Sequence, residues 1–127
     1  MHYYLIGLGS NIEPELNIKL AQQAIAEHVQ VINRSPVLIN PPCGKTFHYP
    51  FHNQLLIIYS NLTSQPLKSL FESIELQLGR EKKCPERKFN DRPIDIDILH
   101  QRQSLAELLD CPVVESYNQE IMSNWVV

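Results

Sequence analysis

Cysteine, long apolar runs and positive charge are all scarce in this chain, and each shortage excludes something. There are three cysteines, Cys43, Cys84 and Cys111, odd in number and widely spaced. Without a CxxC pair they suit neither a disulfide framework nor a zinc site, so reduced thiols are expected. No stretch approaches the ~20 apolar residues of a membrane span. The start, Met1-His2-Tyr3-Tyr4-Leu5-Ile6-Gly7, lacks the basic region of a signal peptide. A cytoplasmic protein with no membrane partner is therefore expected. Eleven Lys and Arg stand against 14 Asp and Glu, a net charge of −3, which argues against nucleic acid as a partner. Internal repeats, heptads and low-complexity tracts are absent. A chain of 127 residues reads as a single domain, residues 1–127, able to bury a core without staples. A monomer is expected.

The few cations that exist are concentrated. Six of the eleven fall between Arg80 and Arg92, and this stretch runs into Ile94-Asp95-Ile96-Asp97-Ile98. Side chains alternate faces on a β-strand, so the isoleucines share one face and the two carboxylates the other. Carboxylates roughly 7 Å apart on one face suit a hard cation such as Mg²⁺, which takes one or two carboxylates per site together with substrate phosphates. Metal ligands beside a cationic segment suit a nucleoside triphosphate that transfers a phosphoryl or pyrophosphoryl group.

The remaining pattern supplies a scaffold. Residues 3–8 read as a strand ended by Gly9-Ser10-Asn11. Pro14 opens a helix whose stripe is Leu16, Leu20, Ala24 and Ile25. Residues 29–39 read as a strand interrupted near Pro36, and 40–49 as loop. Residues 53–62 read as a strand buried on both faces. A second helix begins at Pro66, carries Leu67, Leu70, Phe71, Ile74 and Leu78 inward, and stops at Gly79. A strand follows over 93–99 and a short helix over 104–110, with only weak signals from 111 to 127. The order βαββαβ predicts an α+β, ferredoxin-like sheet with its helices packed on one face and a short C-terminal tail.

On this topology five short pieces fall in order: Leu8-Gly9-Ser10-Asn11, Pro41-Pro42-Cys43-Gly44, Phe51-His52-Asn53, Ile74-Glu75-Leu76-Gln77-Leu78-Gly79-Arg80, and Arg92-Pro93-Ile94-Asp95-Ile96-Asp97. Over residues 3–100 the chain thereby resembles the 6-hydroxymethyl-7,8-dihydropterin pyrophosphokinase family of folate synthesis. The resemblance implies ATP as co-substrate and two Mg²⁺ ions held by Asp95 and Asp97. It implies cationic contacts to the triphosphate from Arg80, Lys82 and Arg92, with Glu75 and Phe89 near the nucleotide. It implies a pterin slot formed by Asn40, Pro41, Pro42, Cys43 and Gly44, with Phe51 stacking on the ring and Asn53 bonding to it. The partners so implied are two small molecules.

The chain departs from the family pattern in three places, one of them a loop between Arg80 and Arg92 that is longer than usual. Asn90-Asp91-Arg92 stands where the family has Gly-Pro-Arg. Pro112 is followed by Val113-Val114 rather than His-Tyr, and the later Arg and Phe of the family have no counterpart, so the C-terminal part reads as shortened and divergent. Weak activity is the expectation, and the alternative is a catalytically impaired relative that binds nucleotide, pterin or a protein. Plainer readings also stand: a solvated face for Asp95 and Asp97, a soluble surface loop for 80–92, core packing for Phe51 and Phe89, and local backbone bonding for Asn53.

Overall fold

The computed structural model describes residues 1–41, 49–81 and 91–127. In chain order its elements are β1 (His2–Ser10), α1 (Pro14–Ala26), β2 (Gln30–Arg34), β3 (Leu38–Asn40), β4 (Phe51–Ser60), α2 (Ser64–Gln77), β5 (Asp95–Arg102), α3 (Leu105–Leu109) and α4 (Ser116–Asn124). The five strands form one antiparallel sheet in the order β2-β4-β1-β5, with β3 also paired to β4. The break between β2 and β3 falls at Ser35-Pro36-Val37, where proline removes a ladder donor. Ser35 keeps the segment on β4: its N–H donates to the Leu55 carbonyl at 2.9 Å, and its hydroxyl accepts from the Leu55 N–H at 2.8 Å.

Alternation along the central strands sorts the side chains into two layers. Tyr4, Ile6 and Leu8 of β1, Leu56 and Ile58 of β4, and Ile94 and Ile96 form one face with Ile18, Ala21 and Ile25 of α1 and Leu67, Phe71 and Ile74 of α2. The intervening Leu5, Leu55 and Ile57 meet Leu108 of α3 and Ile121 of α4 on the other face. Residues Leu55 to Ile58 are all fully buried, as a strand covered on both sides requires.

Two expectations change here. The helices do not all pack on one face, because α3 and α4 cover the second side. The C-terminal region is accordingly two docked helices rather than a tail. The stripe of α1 is also rotated: Leu16 is exposed and the buried positions are Asn17, Ile18, Ala21 and Ile25. Helix α2 ends as expected. Gly79 takes φ +97°, and the Gly79 and Arg80 N–H groups bond back to the Leu76 and Glu75 carbonyls at 3.1 and 3.0 Å, the double closure of a Schellman turn. Cys111 is a buried free thiol, and Cys43 and Cys84 lie outside the described residues. Among the described residues no helix is long and apolar enough to cross a membrane.

Candidate active site

The site grows from one row across the sheet. Gly9 of β1 pairs with Asn53 of β4 on one side and Asp95 of β5 on the other. At the usual strand spacing this sets the Asn53 and Asp95 backbones about 10 Å apart. A Cβ at Gly9 would come within 3.2 Å of the Asn53 Oδ1, so the glycine keeps the middle of the row low. Above the row lies a cavity of about 790 Å³, lined by Gly9, Asn40, Pro41, Phe51, Asn53, Arg92, Asp95, Ser116, Tyr117 and Glu120. That is the size of a small-molecule site, with apolar walls and a few placed polar groups. Asp97 lies one alternate position along β5 from Asp95, opposite Gly7. It lines a small adjoining recess with Asp95, Asn53 and Tyr117.

The carboxylate end is charged by design of the neighbouring elements. The Schellman turn of α2 delivers Arg80 to the start of β5, where its Nη1 donates to Glu75 Oε2 at 3.0 Å and Asp95 Oδ1 at 2.8 Å. Glu75, buried, also accepts from the Ile96 N–H at 2.8 Å. A buried arginine with two carboxylate partners is a fixed brace. Arg92 reaches the other oxygen of Asp95, Nη1 to Oδ2 at 3.6 Å, and its guanidinium stands over the Phe51 ring, 5.9 Å from the centroid. Partial burial, then the charges of Asp95 and Glu75, push the Asp97 carboxyl up to about 7 against the opposing pull of Arg80. Its side chain still reaches solvent, which screens these charges in part. An excess of negative charge on hard oxygen donors, relieved by a divalent cation, fits Mg²⁺ completed by phosphate and water. Among the described residues no third His, Cys, Asp or Glu joins Asp95 and Asp97 into a metal cluster.

A protein-family model, 7,8-dihydro-6-hydroxymethylpterin-pyrophosphokinase (HPPK), matches residues 5–122. The chain belongs to this family. It is 36% identical to the 2-amino-4-hydroxy-6-hydroxymethyldihydropteridine pyrophosphokinase of Helicobacter pylori over 111 residues, 84% of this chain and 66% of that protein. It is 29% identical to the protein so named in Campylobacter jejuni over 124 residues, 94% of this chain and 76% of that one. For the Methylorubrum extorquens protein the figures are 35% over 97 residues, 74% and 60%. The chain thus spans slightly less than two thirds of the Helicobacter relative it matches. The family match also runs past residue 100, where the motif resemblance stops.

Of the residues singled out for this pterin pyrophosphokinase family member, the fold brings Asn40, Pro41, Phe51, Asn53, Arg92 and Asp95 around one cavity. Asp97 lies beside it, and Arg80 and Glu75 stand behind Asp95. Pro42, Cys43, Gly44, Lys82 and Phe89 lie outside the described residues.

Other residues at this family site escaped the sequence reading. Asn11 is buried and clamps the chain entering β5: its Oδ1 accepts from the Arg92 N–H at 2.7 Å, and its Nδ2 donates to Asp91 Oδ1 at 2.6 Å and the Tyr49 carbonyl at 3.3 Å. Asp91, which replaces the usual proline, therefore has a structural partner. Ser116, Tyr117 and Glu120 come from α4. Burial and the charges of Glu115, Asp97 and Asp95 push the Tyr117 phenol up to about 12, against Arg92, so it remains a donor near neutral pH. The sequence does carry a signal for α4. Asn118, Ile121, Met122 and Trp125 recur at helical spacing and pack inward, but the polar residue in that stripe masks it.

Proposed function

We propose that this chain transfers pyrophosphate from ATP to the hydroxymethyl group of 6-hydroxymethyl-7,8-dihydropterin, releasing AMP, as a step of folate biosynthesis. The observation that carries the reading is the row Asn53–Gly9–Asp95 under a cavity walled by Phe51 and Arg92. It offers a flat slot with an amide at one end and paired carboxylates at the other. In this reading Phe51 stacks on the ring, and Asn53, Asn40 and Pro41 meet its edge, joined by Pro42, Cys43 and Gly44. The hydroxymethyl arm then points along the row toward Asp95 and Asp97.

Those two carboxylates would hold Mg²⁺, two ions by the family pattern. Bound there, the ions would neutralise triphosphate charge and polarise the β-phosphoryl group. The chain's own task is positioning. Arg92 places a positive charge beside Asp95 for the phosphates. Arg80, braced by Glu75, fixes Asp95 and offsets part of the carboxylate charge. Lys82 and Phe89 would add contacts to ATP from the intervening segment. The hydroxymethyl oxygen forms a bond to the β-phosphorus and loses its proton. The bond from that phosphorus to the oxygen bridging the α- and β-phosphates breaks, and AMP leaves with the electron pair. Val113 packs against the α3/α4 core and Val114 is 87% exposed, so neither offers a polar phosphate contact and turnover should be slow.

The antiparallel order β2-β4-β1-β5, with β2 and β3 counted as halves of one strand on β4, supports a ferredoxin-like scaffold. We read the chain as a single-domain, monomeric, cytoplasmic enzyme. The alternative of a catalytically impaired binder rests on the missing tail contacts at Val113 and Val114 alone, and the family match does not favour it.

AMP release from ATP and hydroxymethyl-dihydropterin, with and without Mg²⁺, tests the activity. Asp97→Ala should lower the rate about 10²- to 10³-fold and remove Mg²⁺-dependent ATP affinity while the chain stays folded. Equal Mg-ATP affinity by calorimetry in the variant and the parent would remove the metal role. Binding of both substrates without AMP release would leave the non-catalytic reading.

A further inference from the structure

We propose that Tyr117 holds the reactive arm of the substrate: its phenol oxygen accepts a hydrogen bond from the hydroxymethyl O–H, making the site select a 6-hydroxymethyl pteridine over a 6-methyl one. The inference rests on the pterin reading above and deepens it.

Four of the described residues line both the large cavity and the small recess that holds Asp95 and Asp97. Three of them, Asn53, Gly9 and Asp95, are the row across the sheet. The fourth is Tyr117, which comes from α4. It therefore stands over the row, at the junction of the two spaces. The middle of the row is Gly9, whose missing side chain keeps that junction open. Helix α4 fixes the phenol there, because the next residue, Asn118, and Ile121, one turn further, are buried. A flat ring seated at Phe51 and Asn53, with its reactive arm toward Asp95, passes that arm between Gly9 and Tyr117.

A phenol both donates and accepts, and at Tyr117 the two roles point different ways. The negative charges of Asp95 and Asp97 act on this phenol and draw its hydrogen toward the recess. The lone pairs of its oxygen are left to the cavity side, where the arm's O–H arrives. The other groups at the junction are engaged or lack a side chain. Asp95 is held by Arg80 and Arg92, and the Asn53 amide meets the ring edge in the reading above. With its hydrogen held by Tyr117, the arm oxygen turns its lone pairs toward the carboxylate end, where the β-phosphorus is presented. The phenol keeps its own proton and takes none, so the bond orients the hydroxyl and transfers nothing.

The same contact disfavours the wrong arm. A 6-methyl ring seats equally well at Phe51 and Asn53 but brings no O–H to the junction, so the phenol oxygen loses its partner while the rest of the slot is unchanged. Discrimination by a site built to bond a particular group is larger than discrimination by shape. A metal ion at Asp95 and Asp97 would also favour the arm oxygen, and that share survives removal of the phenol hydroxyl. The share that disappears is the one Tyr117 supplies.

The test is a fluorescence titration of the full chain with 6-hydroxymethylpterin and with 6-methylpterin, in the presence of Mg²⁺ and α,β-methylene-ATP, whose α–β link does not break. The parent is compared with Y117F, which keeps the ring and loses only the hydroxyl. Y117M removes the hydroxyl by a second route and decides the matter if thermal unfolding shows that Y117F is not folded. The parent should prefer the hydroxymethyl ring. Each substitution should lower that preference roughly three- to tenfold, the scale of one neutral hydrogen bond, and Y117F should leave the affinity for 6-methylpterin within about twofold of the parent's. A parent that binds the two rings equally overturns the inference. So does a preference that survives loss of the hydroxyl, even if both rings then bind more weakly, because Tyr117 would be only a wall of the slot. Neither result touches the proposed function. A parent that binds neither ring overturns the proposed function and this inference together.

Discussion

The two faces of the sheet are built from the same strands and are put to opposite uses. On the α1/α2 face, six strand residues from Tyr4 to Ile96 and the adjoining Ile94 are apolar and buried, and two helices seal them. On the α3/α4 face the fully buried strand residues are Leu5, Leu55 and Ile57, with Tyr3, Leu38 and Leu99 half-buried beside them. Toward the cavity that face continues as Gly7, Gly9, Asn53, Asp95 and Asp97. Filling those positions with isoleucine and leucine would make a second closed layer. Leaving them small and polar opens a cavity and crowds carboxylates together. Stability comes from one side, and the other side gives up part of it to hold charge and space for a ligand.

Truncation of the closed face should have the largest effect. Phe71→Ala removes a ring that is 1% exposed at the centre of the α2 contact. It should cost about 3–5 kcal/mol, read as a drop in the urea midpoint with unchanged slope. A loss below ~1 kcal/mol would mean that this face is not the stabilising one.

The seam at the mouth of the open face should come next. Asn11→Ala deletes the bonds to the Arg92 N–H, Asp91 and the Tyr49 carbonyl at a buried position. A cost of about 1–3 kcal/mol follows from losing three hydrogen bonds made by one buried side chain. Mg-ATP affinity should fall with it, because Arg92 loses its anchor. Unchanged melting and affinity together would show that the clamp is dispensable.

The smallest effect should carry the opposite sign. Asp97 titrates at about 7 in the fold against an ordinary 3.8, so the folded chain holds that proton more tightly than the unfolded one. Its favourable contribution is complete below the unfolded value and is lost as pH rises from about 4 through about 7. Asp97→Asn should therefore melt slightly higher than the parent at pH 8 without Mg²⁺, and the gap should close toward pH 5. Mg²⁺ competes with the same proton, so its affinity for the parent should rise across pH 6–8. A parent that gains stability relative to the variant over that interval would reverse the assigned electrostatics.

The sequence by itself determined whatever depends on neighbours along the chain. The alternation of Ile94, Ile96 and Ile98 with Asp95 and Asp97 settles which groups face the core and which the site, because a strand has a period of two. The stripe of α2 and its stop at Gly79 follow from the helical period and from the one residue that accepts a left-handed backbone without cost. The ordered motifs carried the family. What only the tertiary structure decided are contacts between distant residues with no local signature. Asn11 and Arg92 are 81 positions apart, and Glu75 and Ile96 are 21 apart. In the sequence Asn11 is an ordinary turn residue and Glu75 an ordinary helical acid. The docking of α4 belongs with these. Its stripe mixes Asn118 with Ile121, so local hydropathy stays low. The helix forms where the vacant half of the sheet face leaves apolar surface to cover, and this brings Tyr117 and Glu120 to the cavity. Propensity is weak beside such burial, and burial is a property of the assembled sheet.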